Sequence, residues 1–358
     1  MMRITLSGYY GFNNAGDDAV CESIIAALAK EMPEADLTLL SNAPADSRAR
    51  FGVEAVNRWQ VRGVLGALLK SDLLISGGGS LLQDVTSKRG FIYYLAVIAL
   101  ARLCRVPVLV YSQGVGPLTD GLNRRLTAAV LNRTQAITVR DRTSRLLLKE
   151  MGVRVPVLIA ADPVLAYEGT GGRPVRTLLA QAGIYEADKL VICAPRPWQG
   201  VDRVKAFSEG LDVLARQGYK VALLPMQPEA DMALCQAIAG HMTERAYVLE
   251  GDYPLNELFS LMKAADLVIA MRLHALIIGA VCDCALLGLP YDPKVTAFMQ
   301  RVGGGELLPL EKMTPSSLAD GAQAALAKGA CAPKRVATLK GLAHLPAALA
   351  KKIIKGRQ

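Results

Sequence analysis

An arginine and a histidine stand two residues apart in Met271-Arg272-Leu273-His274-Ala275. Together they offer a fixed cation and a group able to give or take a proton. The run Asp266-Leu267-Val268-Ile269-Ala270 precedes them, and a longer apolar run, Ala275 to Val281, follows. That order predicts strand, turn, helix. Arg272 and His274 then sit at the carboxyl end of a strand, where the first helical turn points free N–H groups outward. Open α/β sheets bind ligands there, and anions are favoured. The chain has only three histidines, so this one is a candidate for chemistry on a small, strongly anionic substrate. The plainer alternative is an imidazole packed in the core.

Other strand ends in the second half of the chain carry polar or basic groups: Pro195-Arg196-Pro197-Trp198, Pro225-Met226-Gln227-Pro228 and Tyr291-Asp292-Pro293-Lys294. A helix N-terminus offsets only about half a charge. A ligand with two or three negative charges therefore needs several cations, preferably arginines for forked oxyanion contacts. Arg140, Arg272 and Lys294 are the candidates. Arg140 follows the strand Ala136 to Val139, with Asp141 and Arg142 beside it, and also fits a solvated helix start with local ion pairs.

In the first half, Gly8 to Asp18 reads as a ligand loop at a helix start. The G-x-G-x-x-G spacing is absent, the second strand ends in Ser41-Asn42 without an acidic residue, and no Gly-Lys-Ser/Thr follows. Asp17 and Asp18 would repel a phosphate but suit capping and hydroxyl binding. Asn13, Asn14, Gly16 and Asp17 are thus expected to meet a neutral, sugar-like ligand; the competing reading is that they only cap and turn. The third loop, Ser76-Gly77-Gly78-Gly79-Ser80, lets a ligand or neighbouring loop approach the backbone closely. Gly78 and Gly79, with Gln83 and Asp84 after them, are assigned to the same hydroxyl-bearing ligand. Ser112-Gln113-Gly114-Val115-Gly116-Pro117 repeats the theme and adds Gln113.

The elements that must position these residues alternate between strand and helix throughout. Strands are expected at Ile4–Ser7, Leu37–Leu40, Leu73–Ser76, Val108–Tyr111, Ala136–Val139 and Val157–Ile159. A second series is expected at Leu190–Cys193, Val221–Leu224, Tyr247–Leu249, Leu267–Ala270 and Ala285–Gly288. Tyr167 to Pro174 is the best linker. The fold class is α/β, with two doubly wound Rossmann-like domains facing across a cleft. The expected division is residues 1–168, 169–331 and a basic helical tail at 332–358.

At 358 residues, 52% hydrophobic and 20% charged, the chain suits two globular domains. The longest apolar run, Phe91 to Ala101, is too short to span a bilayer. The N-terminus reads as a strand entering a turn rather than a signal peptide, and the scattered cysteines read as buried free thiols. The expected location is cytoplasmic. The net charge of +9 is concentrated from Ala332 onward, where Lys334, Arg335, Lys340, Lys351, Lys352, Lys355 and Arg357 occur without an acidic residue. Leu345, Leu349 and Ile353 recur at helical spacing there. A packed helix with a solvated basic face is one reading, and a weak dock for an anionic lipid surface, at the inner face of the membrane, is the sharper one. No aromatic-studded basic groove argues for nucleic acid, and no metal-ligand cluster or cofactor motif is visible.

Taken in order, these motifs resemble the polysaccharide pyruvyl transferases, most closely the bacterial type acting on secondary cell-wall polysaccharide precursors. The resemblance covers nearly the whole chain. It rests on Gly11-Phe12-Asn13-Asn14-Ala15-Gly16-Asp17, Gly77-Gly78-Gly79 with Leu81-Leu82-Gln83-Asp84, and Gln113-Gly114-Val115-Gly116-Pro117. Thr138-Val139-Arg140-Asp141, Ala161-Asp162-Pro163 and Arg272-Leu273-His274-Ala275 complete it. Asp18, where the family commonly has Glu, is a conservative departure. The resemblance implies a GT-B-like fold, phosphoenolpyruvate as donor and transfer of pyruvate onto two sugar hydroxyls as a cyclic ketal. It places Arg140, Arg272, Leu273 and His274 at the donor, with Lys294 as a further contact; Arg196, at another strand end of the same half, joins the expected donor-binding set. The acceptor is an N-acetylhexosamine-containing precursor, for which a lipid-linked form would make sense of the basic tail. His274 is then the general acid, and Asp17 or Asp84 orients or deprotonates the attacking hydroxyl. Two other readings stay open: a nucleotide-sugar glycosyltransferase, for which Glu250 and Asp252 would bind a ribose, and a non-catalytic sugar-binding protein.

Overall fold

The computed structural model describes residues 2–85, 87–169, 171–185, 189–198 and 203–356. Thr170 of the expected linker and Arg357 of the basic tail lie outside the described residues. The chain divides into two compact units. The first comprises Met1–Phe12, Asp17–Tyr167 and Leu339–Gln358; the second comprises Asn13–Gly16 and Glu168–Thr338.

The first unit is built on a parallel sheet with strands β1 (Arg3–Ser7), β2 (Asp36–Ser41), β3 (Glu54–Asn57), β4 (Leu73–Gly77), β5 (Val108–Gln113), β6 (Ala136–Val139) and β7 (Val157–Ile159). They lie in the order β3-β2-β1-β4-β5-β6-β7. β4 and β5 are buried along their whole length, which is why both read as continuous apolar runs rather than alternating ones. The second unit holds β8 (Leu190–Ala194), β9 (Lys220–Leu223), β10 (Ala246–Val248), β11 (Leu267–Ala270), β12 (Ala285–Gly288) and β13 (Glu306–Leu307), in the order β10-β9-β8-β11-β12-β13. All of these pairings are parallel too. Both sheets reverse strand order beside their first strand, at β1/β4 and at β8/β11. Loops leaving the carboxyl ends of those strands are where doubly wound sheets hold ligands.

Two strands were not expected from the residue pattern. β3 is a short edge strand of Glu-Ala-Val-Asn, too polar to stand out, and β13 is a two-residue edge strand. Edge strands with one open side carry little apolar signal. The tail forms the helix Pro333–Lys355. Its buried stripe runs Leu339, Ala343, Ala347, Ala350 and Ile354. The half-buried Leu345, Leu349 and Ile353 flank that stripe rather than forming it. Within the first unit, Lys351 pairs with Glu31 at 3.2 Å. No helix among the described residues is long and apolar enough to cross a membrane.

Candidate active site

In the second unit, β11 leads into the helix Leu273–Val281, with Arg272 as its N-cap residue. Arg272 makes no side-chain cap hydrogen bond to this helix, and the partial positive charge of its first turn favours an anion. Arg272 is only 8% exposed. Its Nε donates to Asp231 Oδ2 at 2.9 Å, its Nη2 donates to Asp231 Oδ1, and Nη2 also reaches Gln227 Oε1 at 3.3 Å. Asp231 is fully buried and accepts the Gln227 backbone N–H at 2.9 Å as well. The guanidinium is therefore clamped by two of its three nitrogens, leaving Nη1 without a hydrogen bond among the described residues. A forked pair of this kind fixes the plane of the cation. Below it, burial first and then the Asp231 carboxylate push the Cys235 thiol up to about 12, so this cysteine is a packing group, not a nucleophile.

His274, in the first turn of the same helix, is half-buried. The segment Asn13–Gly16 reaches it within the second unit. A Cβ on Gly16 would stand 2.3 Å from His274 Nδ1, so glycine is required for the ring to lie where it does. Ala15 N–H donates to the Met226 carbonyl at 2.9 Å, Asn13 Nδ2 reaches Glu229 Oε1 at 3.4 Å, and Asn14 Oδ1 accepts from Gly16 N–H at 3.0 Å. Asn13, Asn14 and Gly16, expected on the acceptor side, are thus grouped with Arg272 and His274. Sequence separation of more than two hundred residues hid this.

A second cationic group lies at the ends of β8 and β12. Arg196 Nη1 donates to the Tyr291 hydroxyl at 2.8 Å, and its guanidinium lies 4.8 Å from the Tyr291 ring centre and 5.6 Å from that of Trp198. Lys294 Nζ is 5.2 Å from the Tyr291 ring and 3.5 Å from Asp292 Oδ2. Asp292 caps the helix Pro293–Val302 through the Lys294 N–H. Tyr291 joins both cations, and only its place in the Tyr-Asp-Pro-Lys run pointed to it. Glu250 follows the edge strand β10, where Gln236 Nε2 reaches it at 3.4 Å.

In the first unit, the glycine loop after β4 meets the start of the helix Ala15–Glu31. A Cβ on Gly78 would stand 1.9 Å from Val20 Cγ1, and one on Gly79 3.1 Å from Asp17 Oδ1. Both glycines also hold positive φ, 27° and 75°, and the second of these suits only glycine without strain. Asp18 is buried and pairs with Arg50 at 3.4 Å. Arg140 is 7% exposed. It donates from Nη1 to Asp162 Oδ2 at 3.2 Å and from Nη2 to Ser80 Oγ at 2.8 Å, lying against Gly114. Asp17, Gly79, Ser80, Arg140 and Asp162 thus converge around the carboxyl ends of β1, β4 and β6.

Two assignments change on these contacts. Asp84 is buried and accepts hydrogen bonds from Thr119 N–H, Thr119 hydroxyl, Asp120 N–H and Asn123 Nδ2 at 3.0–3.2 Å. Burial alone would raise its carboxyl, but the donors from Asn123, Thr119 and Asp120 outweigh it and hold it at about 2. A carboxylate so occupied is a poor base, and Asp84 fastens the loop instead. Gln113 is fully buried, and its Nε2 donates to Ser76 Oγ at 2.8 Å and to the Ser76 carbonyl at 3.1 Å. It braces the glycine loop from inside. Gln83 Oε1 accepts from Val85 N–H at 3.1 Å. Among the described residues no group of histidine, cysteine, aspartate and glutamate has a metal-binding arrangement.

Two α/β units with Rossmann strand order and ligand loops at their switch points define the class: a GT-B-like, two-domain Rossmann-type protein. Solved structures agree on the fold. The UDP-GlcNAc 2-epimerase of Methanocaldococcus jannaschii superposes with a TM-score of 0.65 at 12% identity, over 98% of this chain and 99% of that one. UDP-GlcNAc 2-epimerase from Neisseria meningitidis, bound to UDP-GlcNAc, gives 0.60 at 12% identity over 99% and 100%. HepE from Anabaena, in complex with UDP-glucose, gives 0.60 at 15% over 99% and 97%. At the level of sequence, no curated protein matches the chain. The family model for polysaccharide pyruvyl transferases matches residues 14–293, and the chain belongs to that family.

Proposed function

We propose that the protein transfers pyruvate from phosphoenolpyruvate to two hydroxyls of a sugar residue as a cyclic ketal, releasing phosphate. The observation that carries the reading is the clamped Arg272 at a helix start, with His274 in the same first turn. The donor carries a carboxylate and a phosphate. Arg272 Nη1 and the helical N–H groups suit one of these, and Arg196 and Lys294 add charge for the other. Arg140, balanced by Asp162, is a further donor contact, and Leu273 contributes its backbone N–H.

The enol phosphate becomes electrophilic at its central carbon when its methylene carbon is protonated. His274 gives that proton. One sugar hydroxyl attacks the central carbon and releases its proton. Phosphate then leaves with the electrons of its C–O bond, and a second hydroxyl attacks the same carbon. Of the two hydroxyl protons lost, one balances the proton delivered to carbon and the other leaves with phosphate. Asp17, beside Gly79 in the first unit, is the candidate to orient the hydroxyl. The acceptor is an N-acetylhexosamine-containing cell-wall polysaccharide precursor met in the cytoplasm, and the basic tail helix suits a weak contact with anionic lipid when the precursor is lipid-linked. Titration of phosphoenolpyruvate into the purified protein, followed by acceptor-dependent phosphate release, tests the reading. Stabilisation by UDP-sugars with no response to phosphoenolpyruvate would replace it with glycosyl transfer.

A further inference from the structure

The carboxyl ends of β1, β2 and β3 carry an aromatic group that the proposed chemistry does not use. Aromatic residues are scarce, 5% of the chain, yet several meet here. Tyr9 and Phe12, in the loop after β1, stack with ring centres 4.1 Å apart and planes 11° apart. Trp59, just beyond β3, lies 5.3 Å from Tyr93 on the helix Lys88–Leu103. Between them sits Arg58, 4% exposed. Its guanidinium carbon is 4.0 Å from the Tyr93 ring centre, 5.1 Å from Trp59, 5.1 Å from Tyr94 and 5.2 Å from Phe12. Nη1 donates to the Gly8 carbonyl at 3.0 Å, and no carboxylate pairs with Arg58 among the described residues. Ring faces take the place of a counter-ion. That ties the positions of four rings to one buried charge.

Trp59 is 59% exposed and still pinned. Its Nε1–H donates to Asn42 Oδ1 at 2.9 Å, and its backbone N–H donates to Asn57 Oδ1 at 2.9 Å. Core packing does not require an exposed indole, and an unliganded surface does not require a fixed one. A rigid, exposed ring at the ligand edge of a sheet is preorganised for stacking, because little conformational freedom is lost on binding. We infer that Trp59, held by Arg58 and Asn42 and packed beside Tyr93, is a subsite that stacks on a pyranose ring of the acceptor. A pyranose presents an apolar C–H face with hydroxyls at its rim, matching an indole edged by asparagine amides. Burial of a Trp in lipid is the competing use of an exposed indole. Here its N–H is already committed to Asn42, which favours the saccharide.

The inference rests on the reading of the protein as a saccharide-modifying transferase, and its test separates the two. The chain has two tryptophans, so Trp198→Phe in the full-length protein leaves Trp59 as sole reporter. Titration with a panel of N-acetylhexosamine and hexose oligosaccharides, without donor, is expected to give saturable quenching. In the otherwise natural protein, Trp59→Ala is expected to raise the acceptor KM about tenfold with the donor KM unchanged, and Trp59→Phe to recover most of the loss. No response to any saccharide, or a response only to phosphatidylglycerol vesicles, overturns the subsite while leaving pyruvyl transfer standing. Saccharide binding at Trp59 without any reaction of phosphoenolpyruvate supports the subsite and removes the reaction.

Discussion

Asp231 makes Arg272 a positioned cation rather than a mobile one, and the two should respond differently to substitution. Arg272→Lys keeps the charge but loses the fork that holds Asp231 and presents Nη1 together. Donor affinity, read by calorimetric titration, is expected to fall about tenfold or more. Asp231→Ala strands a buried cation and is expected to cost about 3–5 kcal/mol in urea unfolding. His274→Ala should leave donor binding largely intact while kcat falls by about 10²–10⁴. Gly16→Ala forces a Cβ to within 2.3 Å of the His274 ring. The ring must shift, so turnover should drop more than stability does. A Gly16→Ala enzyme with natural kcat would show that the contact does not set the ring's working position.

At the scale of loops and strands, Asp84 gives a pH signature. Its folded carboxyl, held at about 2, lies below an unfolded value of about 3.9. Its stabilisation is therefore complete above about pH 4 and is lost as pH falls through about 2. Asp84→Asn should lower stability at neutral pH and flatten the acid limb of the unfolding curve; an unchanged acid limb would show that the loop draws nothing from this carboxylate. The same residue marks what a sequence discloses. Strand ends were legible because β4, β5 and β11 are buried on both faces and read as apolar runs closed by glycine or arginine. Arg272, His274 and the glycine loops followed from that pattern. The direction of a polar side chain did not follow. Asp84 and Gln113 look like ligand groups in a loop, but both turn inward to fasten backbone. Arg58 and Trp59 were missed because they follow β3, an edge strand too short and polar to be read as one.

At the scale of the whole chain, the membership of the two units is not sequential. Asn13–Gly16 groups with the second unit and Leu339–Gln358 with the first, so the tail is structural before it is anything else. Ile354→Ala, deep in its buried stripe, is expected to cost about 2–4 kcal/mol in urea unfolding of the full chain, a loss that a merely solvated tail would not show. Conversion of exposed Lys352 and Lys355 to glutamine should leave stability unchanged within about 0.5 kcal/mol and reduce binding to anionic vesicles. The central claim is tested most directly by phosphate release from phosphoenolpyruvate with and without N-acetylhexosamine-containing acceptors. Acceptor-dependent release that disappears in His274→Ala is the predicted result. Release that persists unchanged in His274→Ala would contradict the account.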